Sequence, residues 1–314
     1  MPATWPIATL LWTGEKWFWP ENQATWWRPM SVAILQSEPV YDGVHGVAEI
    51  GFAHKSGETR LDHLYQCNPL RMLFPTPLKG EIPTAVLTNT AGGLVGGDTM
   101  DISVSSGART RGMAMAQAAE KVYRSAGEDS RINVNLTVHE DAWLEWLPQE
   151  TIVFDGSRLR RQTTIDIQPG AKILAGEILV FGRIASGEKF SNGLLREVWN
   201  VRRQGRLEWT DALHLEDGIE ETFANPACFN GAKAQATVVY VDDDPAEFIE
   251  LARSLLGEVD EKLRGAATVV NGVLVVRWLA HDPARLRREF GNFWAGFRKA
   301  AADLPDALPR LWDI

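Results

Sequence analysis

Five carboxylates stand at positions where their chemistry would matter. Glu177 interrupts the apolar run Ile173–Phe181, and Asp211 interrupts the run Leu207–Leu215. A carboxylate buried in such a strand is costly unless it meets a cation, hydrogen-bond donors or a wet cavity. Arg183, Arg196 and Arg202 are the expected ion-pair partners. The alternative is a polar, water-filled interior that tolerates or transmits cations. Asp98 closes the stretch Gly92-Gly93-Leu94-Val95-Gly96-Gly97-Asp98, whose paired glycines call for positive φ or a close backbone approach. Glu150 and Asp155 bracket Thr151–Phe154 and could be read as the acid/base pair of a β-helix glycoside hydrolase. Five apart on a strand, they point to opposite faces, which counts against a simple pair. Pro-Gln-Glu and Asp-Gly are also ordinary turn chemistry.

Other chemistries find little footing. The glycine loop lacks the Gly-Lys-Ser/Thr ending of a P-loop, and a strand, not a helix, follows Asp98; an acid there would repel phosphate. Its plain reading is a structural turn. The six histidines are scattered, with no HxH, HxxxH or HExxH spacing, so local sequence offers no closed metal site. There is no Gly-x-Ser-x-Gly elbow and no evident Cys/His nucleophile pair.

The elements that position these acids read as strands. Even positions from Val44 to Phe52 are apolar or small, Ser56-Gly57 turns, and Thr59 to Cys67 returns. Val86–Thr88 leads into the glycine loop. Further strands are expected at 109–117, 131–139, 142–147, 151–154, 163–167, 172–181, 195–201 and 207–215. In the clearest of them, Ile132, Val134, Leu136 and Val138 alternate with polar residues. Short strands at near-regular spacing, separated by Gly or Pro, predict an all-β body over about residues 43–241. From about 242 to 314 the pattern changes. Asp244-Pro245 opens a helical run, Gly272–Leu279 is a strand, and His281-Asp282-Pro283 caps a helix carrying Leu286, Phe290, Phe293 and Phe297. These predict a small α+β appendage.

The chain of 314 residues is ordinary in composition, with a net charge of -9 that argues against nucleic acid as a partner. Two distant cysteines, Cys67 and Cys228, make no disulfide framework and favour a reducing, cytoplasmic compartment. No run of about 18 apolar residues suggests a membrane helix. Six of thirteen tryptophans fall within residues 1–27. This head, residues 1–30, is read either as an over-extended start before Met30 or as a loosely ordered tail; residues 31–314 are read as one domain.

Four motifs in order then resemble one family. Gly92–Asp98, Glu120-Lys121-Val122-Tyr123-Arg124-Ser125, Leu144-Glu145-Trp146-Leu147-Pro148-Gln149-Glu150 and Leu308-Pro309-Arg310-Leu311-Trp312 look like the urease accessory protein UreD family. The resemblance covers roughly Val44 to Ile314. It implies a helicoidal, β-helix-like stack of strands with a small helical portion. It also implies a non-enzymatic scaffold that joins UreF and the GTPase UreG, docks on apo-urease and helps insert nickel. No tightly bound cofactor is implied, only transient Ni²⁺ in a water-filled internal passage. Family passage carboxylates match Asp98, Glu177 and Asp211, with Glu150 and Asp155 as further candidates. Gly92, Gly93, Gly96 and Gly97 would shape the passage wall or a partner contact. One departure bears on the passage: Glu120 stands where a small residue is more usual. Two other readings compete with the passage: a structural adaptor whose acids are locked in salt bridges, and the carboxylate-dependent hydrolase.

Overall fold

The computed structural model describes residues 43–313; the tryptophan-rich head, Met30 and the first part of the expected domain lie outside the described residues. Strands β1 (His45–Lys55) and β2 (Glu58–Cys67) form a hairpin, followed by β3 (Leu70–Leu73) and β4 (Thr84–Asn89). The chain then winds through β5 (Thr99–Ser106), β6 (Arg111–Ala116), β7 (Glu120–Val122), β8 (Ser130–Val138), β9 (Trp143–Leu147) and β10 (Thr151–Val153). β11 (Arg158–Ile167) and β12 (Lys172–Phe181) complete the winding; β13 (Leu194–Arg203) and β14 (Arg206–Leu215) form a second hairpin. Helix α1 (Ile219–Ala224), β15 (Ala234–Val241), α2 (Ile249–Ser254), β16 (Leu263–Val270), β17 (Val273–Ala280) and α3 (Pro283–Ala302) follow.

The strands build a β-solenoid-like stack. One sheet has the order β14-β13-β11-β8-β5-β1-β2, the other β16-β17-β15-β12-β9-β6-β4-β3. Successive coils add parallel neighbours to each sheet: β5, β8, β11 and β13 to the first, β4, β6, β9 and β12 to the second. A short third wall closes the coil. In it Leu94 bridges Val122, Val122 lies opposite Val153, and Val153 lies opposite Phe181. All four side chains are buried, so the winding is held by a column of apolar rungs.

Alternation sets which residues face the space between the sheets. On β12, Ile173, Ala175, Leu179 and Phe181 belong to the core between the sheets. Leu174, Ile178 and Val180 belong to a second core under α3 with Leu286, Phe290, Phe293, Trp294 and Phe297. Both faces are covered, which explains the nearly continuous apolar run. Gly176 permits the close approach: a Cβ there would stand 2.9 Å from both the Phe290 and the Trp294 rings. α3 begins as its sequence suggests, with Asp282 accepting a 2.9 Å bond from the Ala284 N–H.

The segment after residue 242 carries strands and helices and joins the β body directly: β17 pairs with β15 and β16 with β17, continuing the second sheet. One strand expectation needs correction: β11 starts earlier than residue 163, at Arg158, because polar side chains mask its alternation.

Candidate functional site

The interior polar residues converge on a cavity of about 170 Å³. Its walls include Asn89, Gly92 and Glu120 from the earlier coils and Thr151, Arg161 and Glu177 from the later ones. Glu177 is 3% exposed. Its Oε1 accepts from Thr163 Oγ1 at 3.1 Å and more weakly from Trp146 Nε1 at 3.4 Å, while Oε2 forms an ion pair with Arg161. Arg161, also buried, donates through Nη2 to Glu197 Oε1 at 2.6 Å and through Nη1 to Thr151 Oγ1 at 2.8 Å. Its Nε has no hydrogen-bond partner among the described residues. The cluster therefore sets two carboxylates against one guanidinium.

Burial pushes the Glu177 carboxyl up to about 7; Arg161 opposes the shift and Glu197 adds to it. Burial also works against the charge on Arg161, but Glu177 and Glu197 outweigh it and raise its pKa. Glu120 is likewise pushed up to about 7 by burial, although Asn89 Nδ2 donates to its two oxygens at 3.1 and 3.2 Å. Glu120 thus faces inward.

The other four members of the expected set have different roles in the fold; Asp211 and Glu150 line cavities of their own. Asp211 lies on β14, one-third exposed, in an ion pair with Arg277 of β17 that joins the two sheets. Both residues line a second cavity of about 420 Å³ with Leu213, Phe229 and Gln235. A row of polar residues connects the two cavities across the second sheet. Thr237 on β15 is opposite Glu177 on one side and Arg277 on the other, and cross-strand partners share a face. Glu177, Thr237, Arg277 and Asp211 therefore form a polar line that runs from the buried Glu177 to the solvent-exposed Arg277–Asp211 ion pair.

Asp98 serves the glycine loop. It is buried, and its carboxylate accepts the Val44 N–H at 2.8 Å and the Val95 N–H at 2.9 Å, tying the loop to the start of β1. Gly93 packs the loop against the next coil: a Cβ there would lie 2.4 Å from Tyr123 Cε2 and 2.6 Å from the Lys121 carbonyl oxygen. Gly93→Ala is expected to cost roughly 1–3 kcal/mol in chemical denaturation, the usual penalty for overpacking. A variant within 0.3 kcal/mol of the parent would show that the loop has room to shift.

Glu150 and Asp155 flank β10 and neither lines the cavity between the sheets. Glu150 forms an ion pair with Arg287 of α3. Asp155 Oδ1 accepts from the Ser191 N–H, the Ser191 hydroxyl and the Asn192 N–H at 2.8–2.9 Å. These bonds outweigh the effect of burial and hold its pKa low. The two acids are engaged with different elements and do not form a facing pair.

The expected ion-pair partners also need correction. Arg161 and Arg277 take the places proposed for Arg183, Arg196 and Arg202. On β13 the odd positions Leu195, Glu197, Trp199 and Val201 are buried, whereas Arg196 and Arg202 carry the opposite parity. Arg183 pairs instead with Glu188. Arg161 and Glu197 were absent from the candidates, yet parity marks both: Arg161 alternates with Leu159, Thr163 and Ile165, and Glu197 with Leu195 and Trp199. Among the described residues, no group of three or more His, Cys, Asp or Glu is placed to hold a metal ion. No helix among them is long and apolar enough to cross a membrane.

Comparison with known proteins adds a family. The family model described as UreD urease accessory protein matches residues 44–313. A urease accessory protein UreD from Magnetococcus marinus is 43% identical over 275 residues, covering 87% of this chain and 95% of the relative. One from Azorhizobium caulinodans is 37% identical over 269 residues, 86% of this chain and 96% of the relative. A urease accessory protein UreD 1 from Methylobacterium radiotolerans is 40% identical over 267 residues, covering 84% and 89% respectively.

Proposed function

The chain belongs to the UreD family of urease accessory proteins, and from that membership we propose that it is a non-enzymatic scaffold for nickel insertion. In this reading it acts in the cytoplasm with UreF and the GTPase UreG on apo-urease, and its interior offers Ni²⁺ a transient passage. The observation that carries the reading is the polar line from the cavity of Glu120 and Glu177 to the cavity of Asp211. Spaced carboxylates keep a hydrated dication favourable without enclosing it, which is what conduction requires. Ni²⁺ accepts oxygen ligands readily, and a short set of them favours transfer over storage.

A plain adaptor is the second reading, favoured by the ion pairs of Glu177 with Arg161 and Asp211 with Arg277. Urease activation by Glu177→Ala and Asp211→Ala variants separates the two when scored with pull-down of UreF, UreG and apo-urease. The passage predicts intact complexes and nickel-poor, inactive urease. Full activation by both variants would remove these acids from nickel delivery, and failed assembly would favour the adaptor.

A further inference from the structure

We infer that Arg161 is a tethered counter-cation, occupying the cation position between Glu177 and Glu197 and yielding it to a divalent metal ion. The inference rests on the reading that the interior carries nickel, and it names what keeps that interior closed in the absence of metal.

The geometry is that of a cation site already filled. Arg161 reaches the carboxylates of Glu177 and Glu197 from opposite ends of one guanidinium, and all three side chains are at most 4% exposed. With both carboxylates ionised, two against one guanidinium leave a net charge of -1, so the buried cluster is then under-neutralised. A dication between the same carboxylates would balance it. The hydroxyls of Thr151 and Thr163, already bonded to Arg161 and Glu177, add neutral oxygen donors next to the carboxylates. Carboxylate, hydroxyl and water oxygens suit a hard or borderline dication.

The guanidinium also has somewhere to go. Arg161 is held through its two terminal nitrogens, while Nε is buried without a partner among the described residues. Arg161 and Glu177 both line the 170 Å³ cavity, which has room for several waters at about 30 Å³ each. Glu120 lines the same cavity and offers a carboxylate to a displaced guanidinium. Exchange therefore needs a side-chain movement and no opening of the sheets. A monovalent ion would bring no more charge than the arginine it displaces, so the device favours dications.

The test is Ni²⁺ titration of the full chain by calorimetry and thermal shift, comparing the parent with Arg161→Gln, Arg161→Lys and Arg161→Gln/Glu177→Gln/Glu197→Gln. Surface histidines are common to all four, so only differences count. Arg161→Gln is expected to gain one Ni²⁺ site at least roughly tenfold tighter than any in the parent. Its melting temperature should rise by roughly 5 °C at a hundredfold excess of metal over the dissociation constant. Arg161→Lys, which keeps the tethered charge, should behave as the parent, and the triple variant should lose the gain. Should Arg161→Gln fail to fold alone, Ni²⁺ added during refolding is expected to rescue it. Absence of any gain or rescue, or a gain that survives removal of both carboxylates, would overturn the inference. Urease activation separates this result from the passage: a gained site alongside full activation by Glu177→Gln would leave the counter-cation standing and refute the passage.

Discussion

Arg298→Ala is expected to lower the melting temperature by about 10 °C, a loss of roughly 3–5 kcal/mol for a buried ion pair broken on one side. Arg298 is fully buried on α3 and sits between two acids from distant coils. Its Nε reaches both Glu145 oxygens at 3.1 and 3.2 Å, and its terminal nitrogens reach Glu81 at 3.0 and 2.9 Å. It also donates to the Ala307 carbonyl at 2.9 Å, fixing the chain beyond the helix. Without Arg298, Glu145 keeps, among the described residues, the indole N–H groups of Trp143 and Trp294 and is left without a counter-cation inside an apolar core. Adding Glu145→Gln to the variant should recover much of the loss, because the carboxylate left without its partner is then gone. A drop of less than 2 °C in the single variant would mean that water reaches Glu145.

Glu177→Gln is expected to have the opposite effect on stability. The folded-state pKa of Glu177 is raised from 4.5 to about 7 by burial. Its contribution is therefore fully present below about pH 4.5 and is lost as pH rises through 7, where ionisation favours the unfolded chain. Glutamine cannot ionise. The stability difference between variant and parent should grow in the variant's favour between pH 4.5 and 7 and level off above, reaching on the order of 3 kcal/mol. Glu120 titrates in the same window but is common to both proteins, so it cancels in the difference. Chemical denaturation from pH 4.5 to 8.5 measures this; a parent more stable than the variant at pH 8 would show that the Arg161 pair outweighs burial. A variant that folds better yet delivers less nickel would mark Glu177 as a residue kept for function at a cost in stability.

Much of this was legible in the sequence, for reasons that lie in periodicity. β8 alternates cleanly, and its expected and observed spans, 131–139 and Ser130–Val138, nearly coincide. β12 was readable because both its faces are buried. What escaped has one cause: polar residues that point inward do not look like core. Arg158, Arg160 and Arg161 obscured the start of β11, although Arg161 is as buried as its apolar neighbours. Glu177 and Asp211 stood out because they interrupt apolar runs, but their partners, Arg161 and Arg277, lie on strands of the opposite sheet and are chosen by how the sheets face each other. Asp98 shows the converse. Its place after the glycines was plain, but its bonds to Val44 and Val95 depend on how the loop meets β1.

The most direct test of an internal nickel path is nickel-edge anomalous diffraction from crystals of the chain assembled with UreF and UreG and loaded with Ni²⁺. The passage predicts anomalous density inside the solenoid, between the cavity of Glu120 and Glu177 and the cavity of Asp211, that disappears in Glu177→Gln. Density confined to surface histidines, in an assembly that still activates urease, would contradict it.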